Sequence, residues 1–322
     1  MAIRNETQRG SWWREFISLE EIPGWQEIKS VQRVLKGWSG DEKYQLIFEG
    51  GQSYLLRISP AEEFGRKKTE FEIMTKLYEL GMPIPQPISL GLCENTQQVL
   101  MVLAWREGED AEGVLPTLSL QEQYKLGVWS GQILKDIHSL PTSNTLEDWH
   151  LRFNRKLDRN IKRYLDCKVS FPKDDKMLSY LKDNRHRLNH RPQCFQHGDY
   201  HTGNMVISEN GNLSIIDFNR WDAGDPWEEF NRIVWSAKVS PEFATGQLHG
   251  YFGGVPPLDF FYLLAFYMAS NTLSAIPWAL SFSENEIRVM ISQSQDILNW
   301  FEDMKNPVPS WYFDPPLYTG VK

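Results

Sequence analysis

The chain has 322 residues, 41% hydrophobic and 24% charged, an ordinary globular balance with enough length for two lobes rather than one compact domain. Its formal net charge is −8, and twelve acidic against six basic residues follow Asp217, so −6 of that total lies in the last third; such a surface repels nucleic acid and attracts cationic ligands, unless it serves only solubility. Three scattered cysteines, Cys93, Cys167 and Cys194, exclude a disulfide framework and suit a reducing cytosol.

The opening segment MAIRNETQRGSWWREF has no apolar signal-peptide core, which adds to the expectation of a cytoplasmic location. Residues 31–35, 44–48 and 54–58 read as three short strands, the last two joined by the turn-forming pair Gly50-Gly51. Residues 66–80 read as an amphipathic helix with Phe71, Met74, Leu77 and Tyr78 on one face and Gly81 at its end. Pro83, Pro85 and Pro87 form an extended connector, and 99–104 is a further strand. The polar, glycine-bearing stretch 106–113 reads as a hinge. Beyond it, 119–139 and 151–190 are helical, 194–217 carries loops and short strands, and the spacing from 226 onward is mostly helical. The apolar stretch Leu258 to Leu280 holds Asp259, Asn271, several Ser and Thr and Pro277, so it reads as a buried helix or helix pair and not a membrane span.

Chemistry concentrates in QHGDYHTGN and LSIIDFNRWDAGDP. Four residues separate Asp199 from Asn204, the interval of a catalytic-loop Asp and a magnesium-binding Asn in phosphoryl transfer. Asp217 ends a short apolar run. One Asp to orient a hydroxyl, with one Asn and one Asp to hold Mg²⁺, is a sufficient set of groups. A competing arrangement has His197, Asp199 and His201 on one face of a strand holding zinc, but Gly198 and Gly203 favour a loop. Gly37-Trp38-Ser39-Gly40, between two strands, is a hairpin loop or a cradle of N–H groups for phosphate; no GxxxxGK[ST] motif occurs.

His197-Gly198-Asp199-x4-Asn204, Ile215-Ile216-Asp217-Phe218 and Gly224-Asp225-Pro226 together resemble the signature of the aminoglycoside phosphotransferase family, which includes macrolide, choline and other small-molecule kinases. The resemblance implies an α+β, two-lobed, protein-kinase-like fold. Its N-terminal nucleotide-binding lobe, residues 1–105, would hold a small antiparallel sheet. A hinge near 102–113 would lead to a larger, mainly helical lobe, residues 106–322, for catalysis and substrate. The implied activity is Mg²⁺-dependent transfer of the γ-phosphate of ATP or GTP to an alcohol group of a small molecule. An aminoglycoside-type or other cationic antibiotic comes first as acceptor, and a metabolite such as choline, an amino sugar or a sugar second. A catalytically silent kinase-like binding module is the reading from another class. The protein would act as monomer or dimer, without nucleic-acid or membrane partners.

Carried onto this chain, the resemblance makes Asp199 catalytic, Asn204 and Asp217 metal ligands, and Ser39, Gly40, Arg57, Glu70, Val102 and Ala104 nucleotide-binding. The family usually has a lysine where Arg57 stands; arginine keeps the charge and binds phosphate bidentately. On a strand buried on both faces Arg57 needs an anionic partner, Glu70 ahead of Glu72, or a phosphate. In the competing arrangement Lys43 serves the phosphates. His197 and Asp225 are expected to brace the catalytic loop, Asp225 also capping a helix that begins at Pro226. Asp222, Glu228, Glu229 and Asp259 are the expected carboxylates for a cationic substrate.

Overall fold

A computed structural model describes residues 24–36, 40–93, 96–142 and 146–314. Its first elements are strands β1 (Ile28–Arg33), β2 (Glu42–Phe48) and β3 (Ser53–Pro60), helix α1 (Phe64–Glu79), and strands β4 (Pro87–Cys93) and β5 (Gln98–Ala104). The short β6 (Glu109–Asp110) and α2 (Ala111–Val114) precede helices α3 (Leu120–Ile137), α4 (Trp149–Asp166) and α5 (Asp174–Asn184). Short strands β7 (Cys194–Gln196), β8 (Met205–Ile207), β9 (Leu213–Ile215) and β10 (Asp222–Gly224) follow, then helices α6 (Ile233–Val239), α7 (Pro241–Phe252), α8 (Leu258–Ala279) and α9 (Glu284–Trp300). The class is α+β, a small antiparallel sheet and a larger helical part, and the backbone divides into two compact units. One comprises residues up to Gly108 with Val206–Asn219, the other Glu109–Met205 with Arg220 onward.

The first unit is built on an antiparallel sheet of order β1-β2-β3-β5-β4. Alternation in β2 and β3 sends Tyr44, Leu46, Phe48, Leu56 and Ile58 to one face, where they form a core cluster with Ile28, Leu100 and Val102. The β2–β3 hairpin closes through Gly51, whose positive φ suits a residue without Cβ and whose N–H donates to the Phe48 carbonyl. β4 was not expected from the sequence, where proline spacing suggested only a connector; as an edge strand it tolerates Pro87 and Gly91. Helix α1 packs on β4 and β5 and buries Met74 and Leu77, and with them Lys67 and Glu70.

The second unit depends on a backbone-to-backbone contact. Ser119 and Glu122 form a capping box that starts α3, and Ser240 caps α7 while donating to Gln123 on α3. Where α3 crosses α7 the facing residues are Gly127 and Gly131 on one helix and Gly246 and Gly250 on the other. A Cβ at any of the four would run into a backbone atom of the opposite helix, well inside van der Waals contact. Hydrogen bonds cross the same seam from Tyr124 to His249 (3.0 Å), Gln247 to Ser130 (2.9 Å) and Tyr251 to His138 (2.9 Å).

The 151–190 stretch is two helices, α4 and α5, interrupted at 167–173 where Lys168 and Lys173 take positive φ. The apolar stretch after Leu258 is one helix, α8, with Pro277 in its last turn. By length and composition α8 could cross a membrane, but its side chains are buried nearly all round and it packs on α4, α5, α9 and the 3-10 turns Glu228–Arg232.

Gly127→Ala is therefore expected to destabilise the protein by about 1–3 kcal/mol despite the better helix propensity of alanine, because the added methyl meets the Phe243 carbonyl. The control is Gly65→Ala in α1, where nothing lies near the new methyl; urea unfolding should find it neutral or slightly stabilised. Equal effects at the two sites would refute the close-packing account.

Candidate active site

The loop from His197 to Asn204 belongs to the helical unit and is held at several points. Gly198 has φ +83°, and the Arg220 carbonyl occupies the space a Cβ would need, so only glycine fits. Its N–H donates to both carboxylate oxygens of Glu229, at 3.0 and 3.1 Å. Tyr200 reaches into the core and donates to the Ser130 carbonyl on α3 (2.8 Å), and Thr202 N–H donates to Ser236 Oγ (3.2 Å). His197 is buried, its Nδ1 accepting the Asp199 N–H at 3.2 Å, and His201 Nδ1 accepts from Gly203 N–H at 3.1 Å. The two imidazoles thus shape the loop and do not converge on a metal. Among the described residues no three His, Cys, Asp or Glu side chains group to hold one.

Asn204 Nδ2 donates to the Asp199 carbonyl (2.9 Å) and to its carboxylate (3.2 Å). Arg232 Nε lies 3.2 Å from Asp199 Oδ1, His201 Nε2 3.7 Å from the same oxygen, and Arg220 Nε 3.8 Å from Oδ2. Burial works to raise the Asp199 pKa, but His201, Arg232 and Arg220 outweigh it and hold the carboxyl well below the usual range. A carboxylate so stabilised is a weak proton acceptor and a firm hydrogen-bond acceptor, suited to aiming a hydroxyl.

In the sheet unit, Arg57 is 2% exposed and all its nitrogens are engaged. Nη1 donates to Glu70 (2.7 Å), and Nε and Nη2 donate to Asp41 (2.9 and 2.5 Å). Lys67 Nζ joins the cluster, 2.6 Å from Asp41 and 3.6 Å from Glu70, and Ser59 donates to Asp41 at 2.8 Å. The Arg57–Glu70 pairing was legible in the sequence; Asp41 and Lys67 were not singled out, although Asp41 directly follows the glycine loop. Burial tends to raise the Asp41 carboxyl, yet Arg57 and Lys67 hold it below its ordinary value. Asp217, at positive φ, has Oδ2 3.4 Å from Lys43 Nζ and Oδ1 3.9 Å from Arg57 Nη1.

Other expected residues stand elsewhere. Ser39 lies outside the described residues; Gly40 is an exposed bend. Because Arg57 pairs with Met101 in register, Met101 and Leu103 share its face of the sheet, and Val102 and Ala104 lie on the opposite one. Val102 is buried in the apolar cluster, so its side chain is not a nucleotide contact on the Arg57 face. Glu229 is not a pocket carboxylate: it is 2% exposed and braces the loop at Gly198. Asp225, expected to do that bracing, instead receives a bidentate pair from Arg191 (2.7 and 2.8 Å), the Tyr267 hydroxyl (2.6 Å) and the Trp227 N–H (2.9 Å). No α-helix begins at Pro226; Trp227 N–H closes a local turn, and the 3-10 segment starts at Glu228. Asp222, Glu228 and Asp259 are paired with Arg152 (2.6 Å), Lys156 (3.0 Å) and Arg187 (3.1 Å). The four carboxylates meant for a cation are thus each taken by a partner within the protein.

The model of the phosphotransferase enzyme family matches residues 30–261. No curated protein matches the sequence. Among solved structures, the chain is similar to the apo form of a thermostable mutant of aminoglycoside phosphotransferase APH(4)-Ia (14% identity, TM-score 0.64, 86% of this chain and 96% of that one). It is similar also to APH(2")-IIIa in complex with GDP and kanamycin (15%, 0.66, 92% and 99%) and to the amicoumacin kinase hAmiN with AMP-PNP, Ca²⁺ and Ami (15%, 0.59, 86% and 90%). At these identities the likeness is one of fold.

Arg57→Ala would strand two buried carboxylates, with Lys67 left to serve both, and should lower unfolding stability by about 3–5 kcal/mol; a loss under 1 kcal/mol by urea titration would contradict the pairing. Glu229 gives a pH test. Burial acts to raise its pKa, but His138, His197 and the Gly198 N–H prevail and lower it. Its contribution is then present above the unfolded-state value near 4.3 and disappears as pH falls through the folded value. Glu229→Gln should cost about 1.5–3 kcal/mol at neutral pH, and its gap to the parent should narrow in unfolding titrations below about pH 4. A gap that stays constant with pH would mean that the ionised carboxylate is not what holds the loop.

Proposed function

This chain belongs to the phosphotransferase enzyme family, and we propose that it transfers the γ-phosphate of ATP or GTP to a hydroxyl of a small molecule in the presence of Mg²⁺. The observation that carries the reading is Asp199, kept ionised and hydrogen-bonded by Asn204 on a loop whose backbone is tied at Gly198, Tyr200 and Thr202. In this reading Asp199 accepts a hydrogen bond from the acceptor hydroxyl and aims its oxygen, the main task a protein has where little covalent chemistry is required of it. Proton transfer to so weak a base comes late, and orientation is the larger part of its role.

Both proposed metal ligands offer oxygen of the kind Mg²⁺ prefers. Asn204 uses its amide nitrogen on Asp199, which leaves the amide oxygen for a cation. Asp217 supplies a carboxylate from the sheet unit. A metal held by such oxygens would neutralise phosphate charge. The solved structures of similar fold include complexes with nucleotides and with antibiotics such as kanamycin and hygromycin B, which supports an antibiotic as the first acceptor class to assay. A second reading, a neutral or anionic metabolite, is favoured by a specific observation: Arg220 and Arg232 flank Asp199, while Asp222, Glu228, Glu229 and Asp259 are already paired.

The deciding experiment incubates the purified protein with γ-labelled ATP or GTP and three acceptor sets: cationic aminoglycosides, neutral sugars and alcohols, and hydroxylated acids. Label should pass to one set, with a gain of one phosphate in the product's mass. Nucleotide binding without transfer to any set, or to a metabolite pool, would support the silent module instead. In the active enzyme, Asp199→Ala should cut turnover about a hundredfold or more while nucleotide affinity stays within about a few-fold. Asp217→Ala should abolish turnover and weaken Mg-nucleotide binding. Equal loss of nucleotide binding in both would refute this division of roles.

A further inference from the structure

In the helical unit, two guanidinia flank Asp199 without hydrogen-bonding to it. Arg232 Nε lies 3.2 Å from Asp199 Oδ1 and Arg220 Nε 3.8 Å from Oδ2, one beside each oxygen. Arg232 Nε is itself buried and has no hydrogen-bond partner among the described residues. Other partly buried arginines of this unit are better satisfied. Arg191 forks onto Asp225 at 2.7 and 2.8 Å, Arg185 reaches Asn154 (3.1 Å) and Asp158 (2.6 Å), and Arg152 reaches the Ala223 carbonyl and Asp222, both at 2.6 Å. A guanidinium carries five N–H donors in a fixed fork. A buried N–H left unmet costs free energy that a bound hydrogen-bond acceptor would offset.

Both side chains stay partly open, Arg232 at 24% and Arg220 at 39% exposure, so a solute can reach them. Arginine is charged at any working pH, so two permanent positive charges stand against the single negative charge of Asp199. His201, 3.7 Å from Oδ1, adds to them whenever it is protonated. An ammonium group next to the hydroxyl that Asp199 receives would face two guanidinia. An oxyanion there would instead fill their donors with charge-assisted, bidentate bonds. The phosphoryl group in transit is the other anion, but in the phosphotransferase reading Mg²⁺ meets its charge.

We propose that Arg220 and Arg232 hold an oxyanion carried by the acceptor itself, a carboxylate or a phosphate ester on a carbon near the reacting hydroxyl, so that the acceptor class is hydroxy acids and sugar phosphates. The inference rests on the phosphotransferase reading and deepens it by naming what the acceptor carries. With the anion fixed, the hydroxyl is held in one orientation toward Asp199. Its oxygen bonds to the γ-phosphorus, the P–O bond to the β-phosphate breaks, and that electron pair leaves with the nucleoside diphosphate. The hydroxyl proton leaves by way of Asp199.

Matched acceptors, assayed with Mg²⁺ and γ-labelled ATP or GTP, test it. Each hydroxy acid is paired with its own amide and each sugar phosphate with the free sugar, while amino alcohols and aminoglycosides form the cationic arm. The oxyanion member of a pair should show kcat/KM about tenfold or more above its uncharged partner, the scale of hydrogen bonds to a charged group. The two oxyanion arms then show whether carboxylate or phosphate is the group held. In Arg232→Gln the ratio within a pair should collapse toward one, through KM for the oxyanion more than through kcat. Mg-ATP affinity and the urea midpoint should stay near those of the parent, since Arg232 Nε gives up no hydrogen bond. Arg232→Lys keeps the charge without the fork and should retain part of the ratio. Arg220→Gln repeats the measurement at the second arginine and serves if Arg232→Gln does not fold. Uncharged or cationic acceptors used as well as oxyanions by the parent would overturn the clamp and leave the phosphotransferase reading standing. So would an unchanged ratio in the variants with turnover lowered alike for every acceptor, which would assign the arginines to the phosphoryl group in transit. A parent protein that transfers label to no acceptor would overturn both.

Discussion

The close approach of α3 and α7 is the constraint on which the helical unit depends. Four glycines let the two backbones touch, and the short distance lets polar groups on one helix reach the other directly. Ser130 accepts from Gln247 through its hydroxyl and from Tyr200 through its carbonyl, so one residue in the seam ties α7 and the Asp199 loop to the same helix. At the end of α3, His138 is hydrogen-bonded to Tyr251 of α7 and stands 3.7 Å from Glu229, the carboxylate that receives the Gly198 N–H. Widening the seam by a methyl group would therefore be felt at Asp199, which is remote in sequence from all four glycines. The loop owes its shape to a helix pair that contains none of the expected catalytic residues.

A second theme is matched burial of charge. An isolated ion taken out of water costs far more than a folded domain can spare, and removing one member of a buried pair exposes that cost. In the sheet unit the answer is a neutral quartet of Arg57, Lys67, Asp41 and Glu70. In the helical unit, Asp225 takes a bidentate arginine, a tyrosine hydroxyl and a backbone N–H and has no solvent exposure. Asp199 is treated differently. Arg220, Arg232 and His201 approach it without the short, saturated bonding seen at Asp225, so it stays charged and retains lone pairs for a ligand. The contrast separates a structural aspartate from one free to act, and it comes from geometry alone, since the two lie in similarly glycine-rich stretches of sequence.

Identities of 14–15% to proteins of the same fold are enough when the features that carry the fold are few and local. Alternating strands, a glycine at positive φ beside Asp199 and capped amphipathic helices tolerate wide substitution elsewhere.

The sequence by itself determined the α+β class, the three N-terminal strands, α1 and α3, the loop character of the segment around Asp199 and the Arg57–Glu70 pair, because each rests on spacing, turn residues or the cost of a buried charge. Only the tertiary structure decided the rest. Glu229 and Asp225 are four residues apart and both acidic; which of them turns to Gly198 depends on where the 3-10 turns after Trp227 aim each side chain. Val102 and Met101 are neighbours in one apolar run, and only the pairing of β5 with β3 sets which of them faces the Arg57 side. The glycines of α3 and α7 read as ordinary weak helix formers until the two helices are brought together. Asp41, Lys67, Arg220 and Arg232 are single charges on a polar chain, and they acquire meaning from partners 16 to 33 residues away. Pairings at such separations leave no periodic mark in a sequence, since they depend on packing directions and not on the local propensity of the residues that make them.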